Sequence, residues 1–436
     1  MADRRTFLKQ AGAATGALLT GAGLWDTGRA RELRQELSGY GGTPREAAAD
    51  ETLWHEVQQA FTVDRSMINL NNGGVSPAPS IVQEAMKRDL DYSNEAPVYT
   101  MWDILEPQRE GVRQRLARAF GCEAGEIAQT RNASEGLQIC QFGFDLQEGD
   151  EVLTTDQDYP RMITTFKQRE RREGIRLRQF SIPVPAEDDE EIVRRFERNI
   201  TPDTRLILLC HVINLTGQIL PVKKVVEMAR GYDIPVIVDG AHAFAHMDFT
   251  LEDLGCDYYA TSLHKWLLAP HGTGMLYVRR ERVADLWPLM AAPDTMDDDI
   301  RKFEEIGTHP AANYLGTGEA LTFHQTIGPA RKEARLRYLT DYWMNALEDH
   351  DRIRFHTSRD PKYYCALANV EIDGIPPGQL RNHLWRNYRI LSTPISHEQF
   401  QGIRVTPNVY TTLEELDRFV DHMLAAANHG LPGGGP

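Results

Sequence analysis

The chain has 436 residues, of which 41% are hydrophobic and 25% are charged, and this composition is ordinary for a globular protein. Its length allows one large domain with a sizeable core and a second, smaller domain. A formal net charge of −15 argues against nucleic acid and anionic membrane surfaces as partners. Five scattered cysteines without a Cys-x-x-Cys pair argue against a disulfide framework or a metal site.

Residues 1–30 are typical of a twin-arginine export signal. Arg4 and Arg5 stand shortly before a Phe-Leu-Lys sequence, and an Ala/Gly-rich, weakly apolar segment follows. That segment is too short and too rich in glycine for a comfortable membrane span. We therefore expect export by the twin-arginine machinery, to the periplasm or an equivalent compartment, with cleavage after Ala30 permitted by the small residues there.

Residues 31–65 are largely charged and polar, which predicts a loosely packed N-terminal lead-in. Across residues 66–326, short strand-like runs alternate with amphipathic helical stretches. The predicted strands are Ile127–Thr130, Glu151–Asp156, Arg176–Phe180, Arg205–Val212, Pro235–Asp239, Tyr258–Ser262 and Gly274–Val278. This alternation predicts an α/β large domain around a mostly parallel, doubly wound seven-stranded sheet.

From about residue 327 the pattern changes to that of a smaller α+β domain, which we place at residues 327–430. A long helical stretch over residues 328–350 precedes strand-like pieces at Tyr364–Ile372 and Ile403–Thr406. A helix at Thr412–Ala426 follows. Residues 431–436, Leu-Pro-Gly-Gly-Gly-Pro, predict a flexible tail.

Two residues of the large domain carry the chemical signal. Asp239 ends one predicted strand, and Lys265 follows the next one, before a Pro/Gly-rich turn. Ligands of such sheets sit beyond the carboxyl ends of the strands. A lysine and a carboxylate at that edge suit pyridoxal phosphate (PLP), which forms a Schiff base with a lysine and pairs its ring nitrogen with an acid. Taken singly, Lys265 is also compatible with a solvated surface charge and Asp239 with a helix N-cap.

Five blocks of sequence carry a wider resemblance, and they span residues 66–425. They are Asn71-Asn72-Gly73-Gly74, Asn132-Ala133-Ser134-Glu135-Gly136, Asp239-Gly240-Ala241-His242, Ser262-Leu263-His264-Lys265 and Gly402-Ile403-Arg404-Val405-Thr406. In this order they resemble the class V aminotransferase superfamily of fold-type I PLP enzymes, in particular its isopenicillin N epimerase-like and cysteine desulfurase-like branches.

The resemblance implies catalytic roles for Lys265, Asp239 and His242. Lys265 would hold the cofactor as a Schiff base and then move the proton at the substrate α-carbon, which requires a lysine that can be neutral. Asp239 would keep the pyridine nitrogen protonated. His242 stands where the family places a group near the cofactor's ring oxygen, although a surface histidine that caps a loop is the alternative.

The resemblance also assigns residues to the cofactor phosphate. Ala133 and Ser134 open a helix after a strand, and backbone amides at a helix start bind phosphate, while an ordinary serine N-cap is compatible with the same sequence. Ser262 and His264 match other positions on the phosphate side. Gly307-Thr308 matches a loop that reaches the phosphate from the neighbouring subunit, and this implies a homodimer with shared active sites.

The remaining assignments concern the cofactor ring and the substrate. Tyr159 aligns with the aromatic residue that stacks on the ring, where many members have histidine, and Asn214 with the asparagine that contacts the ring oxygen. Arg404 matches the arginine that pairs with a substrate α-carboxylate. Asn72 is a further candidate for the substrate pocket.

These residues predict an amino acid or a peptide-borne amino acid as substrate but leave the broken bond open. The site residues are compatible with four kinds of reaction, which are transamination, epimerisation, C–S or other β-lyase chemistry, and side-chain modification. Desulfurase chemistry is disfavoured, because residues 389–404 contain no cysteine and Cys365 lies in an apolar, strand-like run. With the export signal, the pattern is similar to the periplasmic class V enzymes that modify the glutamate side group of pyoverdine siderophores.

Two further functions lie outside this set of reactions. A catalytically silent binding protein on the same fold remains an alternative, although the presence of Lys265, Asp239 and Arg404 argues against it. A nicotinamide-dependent dehydrogenase is disfavoured, because no Gly-x-Gly-x-x-Gly sequence follows an early strand.

Overall fold

The computed structural model describes residues 35, 37 and 39–431. The predicted export signal at residues 1–30 and most of the predicted tail lie outside these described residues. Across the described part of the chain, no helix is long and apolar enough to cross a membrane.

The strands and α-helices are numbered separately in chain order. The strands are β1 (Ile68–Asn69), β2 (Ile127–Thr130), β3 (Glu151–Thr155), β4 (Arg176–Phe180), β5 (Thr204–Cys210), β6 (Val236–Asp239), β7 (Tyr258–Ser262), β8 (Gly274–Val278), β9 (Ile353–Phe355), β10 (Ala368–Ile372), β11 (Ile390–Leu391), β12 (Thr393–Ser396) and β13 (Gln401–Val405). The α-helices are α1 (Pro44–Ala49), α2 (Glu51–Gln59), α3 (Ser80–Ser93), α4 (Arg109–Phe120), α5 (Ala133–Gly143), α6 (Pro160–Glu173), α7 (Asp189–Asn199), α8 (Val222–Arg230), α9 (Leu251–Leu254), α10 (Ala311–Ile327), α11 (Pro329–Leu347), α12 (Pro377–Tyr388) and α13 (Leu413–His429).

A seven-stranded sheet forms the centre of the large domain, in the spatial order β2-β8-β7-β6-β5-β3-β4. Strand β8 runs antiparallel to both of its neighbours, and the other pairings are parallel. The predicted α/β fold with a mostly parallel seven-stranded sheet is therefore confirmed. Strand β6 is buried along its whole length, which explains its continuous apolar sequence.

Helix α5 packs unusually close to this sheet because of Gly136. A Cβ atom at Gly136 would lie 2.9 Å from the Ala260 Cβ in β7 and 3.3 Å from the Leu276 Cβ in β8. Glycine thus lets the helix approach the strands closely, and it fixes the start of α5 beside the carboxyl end of β7.

The smaller domain contains a four-stranded antiparallel sheet in the order β12-β13-β10-β9. Its core joins this sheet to α11 and α13, with Trp343, Ile403 and Phe419 fully buried. The two-residue strands β1 and β11 pair in parallel, which brings Ile68 into the same core. The start of the predicted large domain therefore packs with the smaller one.

The segment before residue 65 differs from the loosely packed lead-in that its polar composition predicts. Helices α1 and α2 pack against the rest of the chain, and Trp54 and Val57 are fully buried. The Trp54 indole donates a hydrogen bond to the Ala47 carbonyl at 2.7 Å, and Arg335 of α11 donates to the Ala48 carbonyl at 2.9 Å. The few apolar residues of this segment are spaced so that they share one helix face. The overall polar composition of the segment does not reveal this spacing.

Candidate active site

A cavity of about 380 Å³ lies at the carboxyl edge of the large sheet, between it and strands β12 and β13. A larger groove of about 740 Å³ lies at the opposite edge of the sheet and is lined by none of the predicted site residues. The cavity at the carboxyl edge brings together most of the residues that the sequence predicts for the site. They are Ala133, Ser134, Tyr159, Asn214, Asp239, His242, Ser262, His264, Lys265 and Arg404.

Asp239 is the last residue of β6 and lines the cavity. Its Oδ1 atom accepts a hydrogen bond from the Ala241 amide at 2.9 Å. Burial raises the pKa of Asp239 to about 6. The next helix, α9, starts only at Leu251, so the residue is not a helix N-cap.

Lys265 lies in the turn after β7, and its Nζ atom is 3.1 Å from Nε2 of His242. The pKa of Lys265 is lowered to about 8, chiefly because burial penalises the charged amine; Asp239 opposes this shift, and the nearby Arg404 contributes to it. The lysine is therefore not a solvated surface charge. Its neutral, nucleophilic form becomes accessible near neutral pH.

His242 is buried rather than a surface residue. Burial holds the pKa of its imidazole well below the usual range, so the ring is neutral at neutral pH. A neutral Nε2 can accept a hydrogen bond from the Lys265 amine, while no described residue bonds to the buried Nδ1 atom. His242 can thus orient the amine without competing for its proton.

The start of α5 lines the cavity through Asn132, Ala133 and Ser134. Asn132 is the N-cap, because its Oδ1 accepts a hydrogen bond from the Glu135 amide at 2.9 Å, and Ser134 is therefore not the cap. The Ser262 hydroxyl accepts from the Ala133 amide at 3.0 Å. A Cβ at Gly274 would lie 2.5 Å from the Asn132 Cα, so glycine allows this close approach. Helix N-termini of this kind bind anions.

Arg404 in β13 also lines the cavity. The residue is 7% exposed, and the two terminal nitrogens of its side chain donate to the Asn214 carbonyl at 3.0 Å and to Asn71 Oδ1 at 2.9 Å. Thr393 also donates to Asn71 Oδ1, at 2.6 Å. Burial lowers the pKa of Arg404 to about 10, which still leaves a cation at neutral pH. No partner among the described residues bonds to its Nε atom.

Asn71, which bonds to Arg404, and Thr393, which bonds to Asn71, were not among the predicted site residues. Asn71 belongs to a block that carries the resemblance, so a signal for it existed. Thr393 reaches the site only because β12 pairs with β13, which places Thr393 opposite Arg404. Such pairing between strands is not readable from local sequence.

Three predicted residues do not line this cavity. Asn72 is fully buried, donates to the carbonyls of Asn69 and Thr406, and accepts from the Tyr410 hydroxyl at 2.6 Å. Its glycine neighbours, Gly73 and Gly74, line the cavity instead. The others, Gly307 and Thr308, lie exposed on the surface of their own chain.

The donor set fits PLP at three points. The buried Asp239 can face a ring nitrogen, Lys265 can meet an aldehyde, and the start of α5 with Ser134 can bind a phosphate. The buried Asn214 Oδ1 has no protein partner within the described chain, so polar capacity remains for a bound group. The fold and the site together define a PLP-dependent enzyme of fold type I.

The chain belongs to the class V aminotransferase family, which it matches over residues 68–419. It is 30% identical over 388 residues to an isopenicillin N epimerase of Streptomyces clavuligerus, covering 84% of this chain and 97% of the relative. It is 24% identical to a hercynylcysteine sulfoxide lyase of Schizosaccharomyces pombe, covering 85% of this chain and 96% of the relative.

Solved structures share the fold. An apo cysteine desulfurase from Thermococcus onnurineus matches with a TM-score of 0.76 and 21% identity, covering 86% of this chain and 98% of the other. A variant of the cystine C–S lyase C-DES with glycine covalently linked to its PLP cofactor matches with a TM-score of 0.75 and 23% identity, covering 84% and 98%. These matches support the fold-type I assignment.

Proposed function

We propose that this enzyme is exported, forms a homodimer and removes the α-proton of an amino acid or of a peptide-borne amino acid with a free carboxylate. The observation that carries the proposal is the pairing of the Lys265 amine with His242 at 3.1 Å in a cavity that also holds Arg404. The same cavity thus contains Lys265, a base whose neutral form is accessible, and Arg404, a cation that can bind a carboxylate.

Bound PLP supplies an aldehyde that condenses with amines and a ring that accepts the electrons released at the α-carbon. Asp239 would hold the proton on the ring nitrogen as a buried carboxylate. Lys265 would take and return the α-proton, which requires its neutral form. His242 would orient the lysine amine through Nε2. The phosphate would be held by Ala133, Ser134 and their neighbours at the start of α5.

Arg404 would fix the substrate carboxylate. Both of its terminal nitrogens are already held by Asn214 and Asn71, so the guanidinium is oriented before substrate binds. A carboxylate bound there replaces part of the hydration that burial has removed from the cation.

Replacement of Arg404 by lysine is expected to raise KM for a carboxylate substrate by about 10²-fold, with a smaller effect on kcat. Loss of one partner of a buried charge pair costs about 2–5 kcal/mol, and lysine cannot keep both orienting bonds. Steady-state kinetics with the acid and with its carboxamide measures the effect. The variant should lose most of its preference for the acid over the amide, and a preserved preference would contradict the assignment.

Epimerisation and C–S cleavage are the two reactions that we favour within this class. The similarity to isopenicillin N epimerase supports epimerisation, and the similarity to a sulfoxide lyase supports cleavage. Persulfide chemistry is disfavoured, because Cys210 is the cysteine that lines the cavity in the described structure and burial raises its pKa well above the usual range. Modification of a siderophore side chain is the more specific proposal that export suggests.

Deuterium exchange at the α-carbon tests the common step. Purified enzyme with PLP is incubated in D₂O with a panel of free amino acids, cysteine conjugates, small peptides and a pyoverdine precursor. NMR then reports α-deuteration, chiral chromatography reports epimers, and product analysis reports pyruvate or keto acids. If PLP binds but no compound exchanges, the α-proton proposal fails for this panel and the silent binding protein gains support.

The homodimer proposal rests on the resemblance of Gly307-Thr308 to a loop that crosses between subunits and on an exposed apolar helix. Val98, Tyr99 and Trp102, in the π-helical segment Val98–Leu105, are 66%, 56% and 53% exposed. Exposed apolar groups that lie together are typical of an interaction surface.

Replacement of Trp102 by glutamate is expected to shift the protein from dimer to monomer, because a charge would be desolvated at the interface. Light scattering after size exclusion measures the mass, and Tyr232→Gln, which changes an exposed aromatic residue outside this segment, is the control. Sharing of sites is tested by mixing Lys265→Ala with Thr308→Asp subunits. The mixed dimer keeps one intact site if the loop acts across subunits, and none if it acts within its own chain.

Export is tested in the producing cell by fractionation and N-terminal sequencing. The wild type should appear in the exported fraction with its first residues removed, and the double change Arg4→Lys and Arg5→Lys should retain it in the cytoplasm. Uncleaved wild-type protein that stays in the cytoplasm would reject the signal.

A further inference from the structure

We propose that His246 and Lys332 are positioning residues that fix the turn containing Lys265 through two contacts with its neighbour Trp266, one to the indole ring and one to the main chain. The inference rests on the proposed role of Lys265 as the base that carries the cofactor. Neither residue lines the cavity, and both are buried. They would therefore act through Trp266 and His242 rather than on the reacting atoms.

His246 contacts His242 itself and Trp266, the residue next to Lys265. Its Nδ1 atom donates to the main-chain carbonyl of His242 at 2.6 Å, and its Nε2 atom accepts from the Ala366 amide at 2.8 Å. Its ring stacks on the indole of Trp266, with centroids 3.8 Å apart and planes inclined by 6°. These contacts define one tautomer and one ring orientation.

Lys332, in α11, supplies the second contact. Its Nζ atom donates to the main-chain carbonyl of Trp266, and its side chain is fully buried. Burial of an amine is costly, and a methionine of similar length would fill this space without that cost. The hydrogen bond to Trp266 gives a reason for a lysine at this position.

Backbone strain marks the same two turns. Ala245, next to His246, has φ of 58°, and Leu268, shortly after Trp266, has φ of 65°. Residues with side chains adopt this left-handed region only when their surroundings enforce it. Contacts from His246 and Lys332 are the kind of constraint that such a backbone requires.

The C-terminal part of the chain supplies two of these contacts, the Ala366 amide that bonds to His246 and the Lys332 amine that bonds to Trp266. Ala366 lies just before β10, and Lys332 lies on α11, so the sheet and the long helix of the smaller domain hold the lysine turn of the large one. The direction of the Lys265 amine toward His242 thus depends on how the two parts of the chain pack together.

The test uses the full-length apo-protein titrated with PLP. His246→Phe keeps the ring stack and loses both hydrogen bonds, and Lys332→Met keeps the volume and loses the bond to Trp266. We expect both to weaken PLP binding about tenfold to a hundredfold and to change the midpoint at which the visible absorbance of bound cofactor responds to pH, because the amine is displaced. His246→Asn, which returns a donor near the Nδ1 position, should restore part of the affinity.

Matched controls separate positioning from general loss of stability. Lys302→Met also removes a buried lysine bonded to a main-chain carbonyl, that of Asp297 at 2.8 Å, and His211→Phe removes a buried histidine bonded to Tyr259. The controls should keep the PLP affinity and the spectral midpoint of the wild type even where their thermal stability falls. Unchanged affinity and midpoint in His246→Phe and Lys332→Met would overturn the inference, whereas a wild type that fails to bind PLP would instead remove the cofactor role of Lys265.

Discussion

Replacement of Lys265 by alanine is expected to abolish the visible absorbance that wild-type protein develops with PLP and to lower kcat/KM by at least about 10⁴-fold. The substitution removes both the covalent attachment and the proton carrier at the α-carbon, and proton transfer alone contributes about 10²–10⁴-fold. Absorbance spectroscopy and the deuterium-exchange assay measure the two losses separately. Added methylamine should restore part of the exchange, because it supplies a neutral amine to the empty position.

The control for this variant is Lys223→Ala, which removes an exposed lysine from α8. It should bind PLP and exchange deuterium like the wild type. A Lys265→Ala protein that keeps the coloured, covalently attached cofactor would show that another lysine forms the bond, and Lys332, the buried lysine behind Trp266, would be the first to examine.

The pKa of Lys265 adds a pH dependence to the same experiment. Because burial lowers this pKa to about 8 in the apo-protein, the neutral amine is the minor form at pH 6 and the major form at pH 9. The rate at which apo-protein captures PLP should therefore rise across this range with a midpoint near pH 8. Stopped-flow absorbance measures it, and a midpoint near 10, the ordinary value for lysine, would contradict the enclosure of the amine.

The large sheet was predictable because its strands are short apolar runs between amphipathic helices. Every predicted strand of that sheet is present to within two residues at either end. Strands β1 and β11 were not predictable, since two residues carry no period and their pairing joins positions 68 and 390. The packing of α1 and α2 was missed for a related reason, because a few apolar residues on one face are diluted by polar neighbours.

The same distinction applies to the site: residues that follow strand ends were predictable from local sequence, and contacts between distant residues were not. Asp239, Lys265 and the start of α5 follow strand ends, so sequence order alone places them at one edge of the sheet. The two bonds that orient Arg404 come from residues 190 and 333 positions away. The sequence block that contains Asn71 and Asn72 did not distinguish the residue that bonds to Arg404 from the one that builds the core.

Replacement of Asp239 by asparagine is expected to change stability and activity in opposite directions. Burial raises the pKa of Asp239 from 3.8 to about 6 in the apo-protein. Ionisation in the folded state therefore costs about 3 kcal/mol relative to the unfolded chain. Because the folded pKa is the higher one, the stabilising contribution is fully present below pH 4 and is lost as the pH rises through 6. Asparagine mimics the protonated form, so the apo-variant should exceed the wild type in stability at pH 8 and equal it near pH 4.

Activity should fall in the same variant, by about 10²- to 10³-fold in kcat/KM, because a neutral amide cannot stabilise a protonated ring nitrogen. Urea unfolding at pH 4 and pH 8 gives the stability, and deuterium exchange gives the activity. Glu319→Gln is the matched control, since burial in α10 also raises the pKa of that carboxyl. The Glu319→Gln variant should gain stability at pH 8 and keep its activity. Two results would refute the role of Asp239 as a buried anion retained for the cofactor: a loss of activity in both variants, or a loss of stability in Asp239→Asn at pH 8.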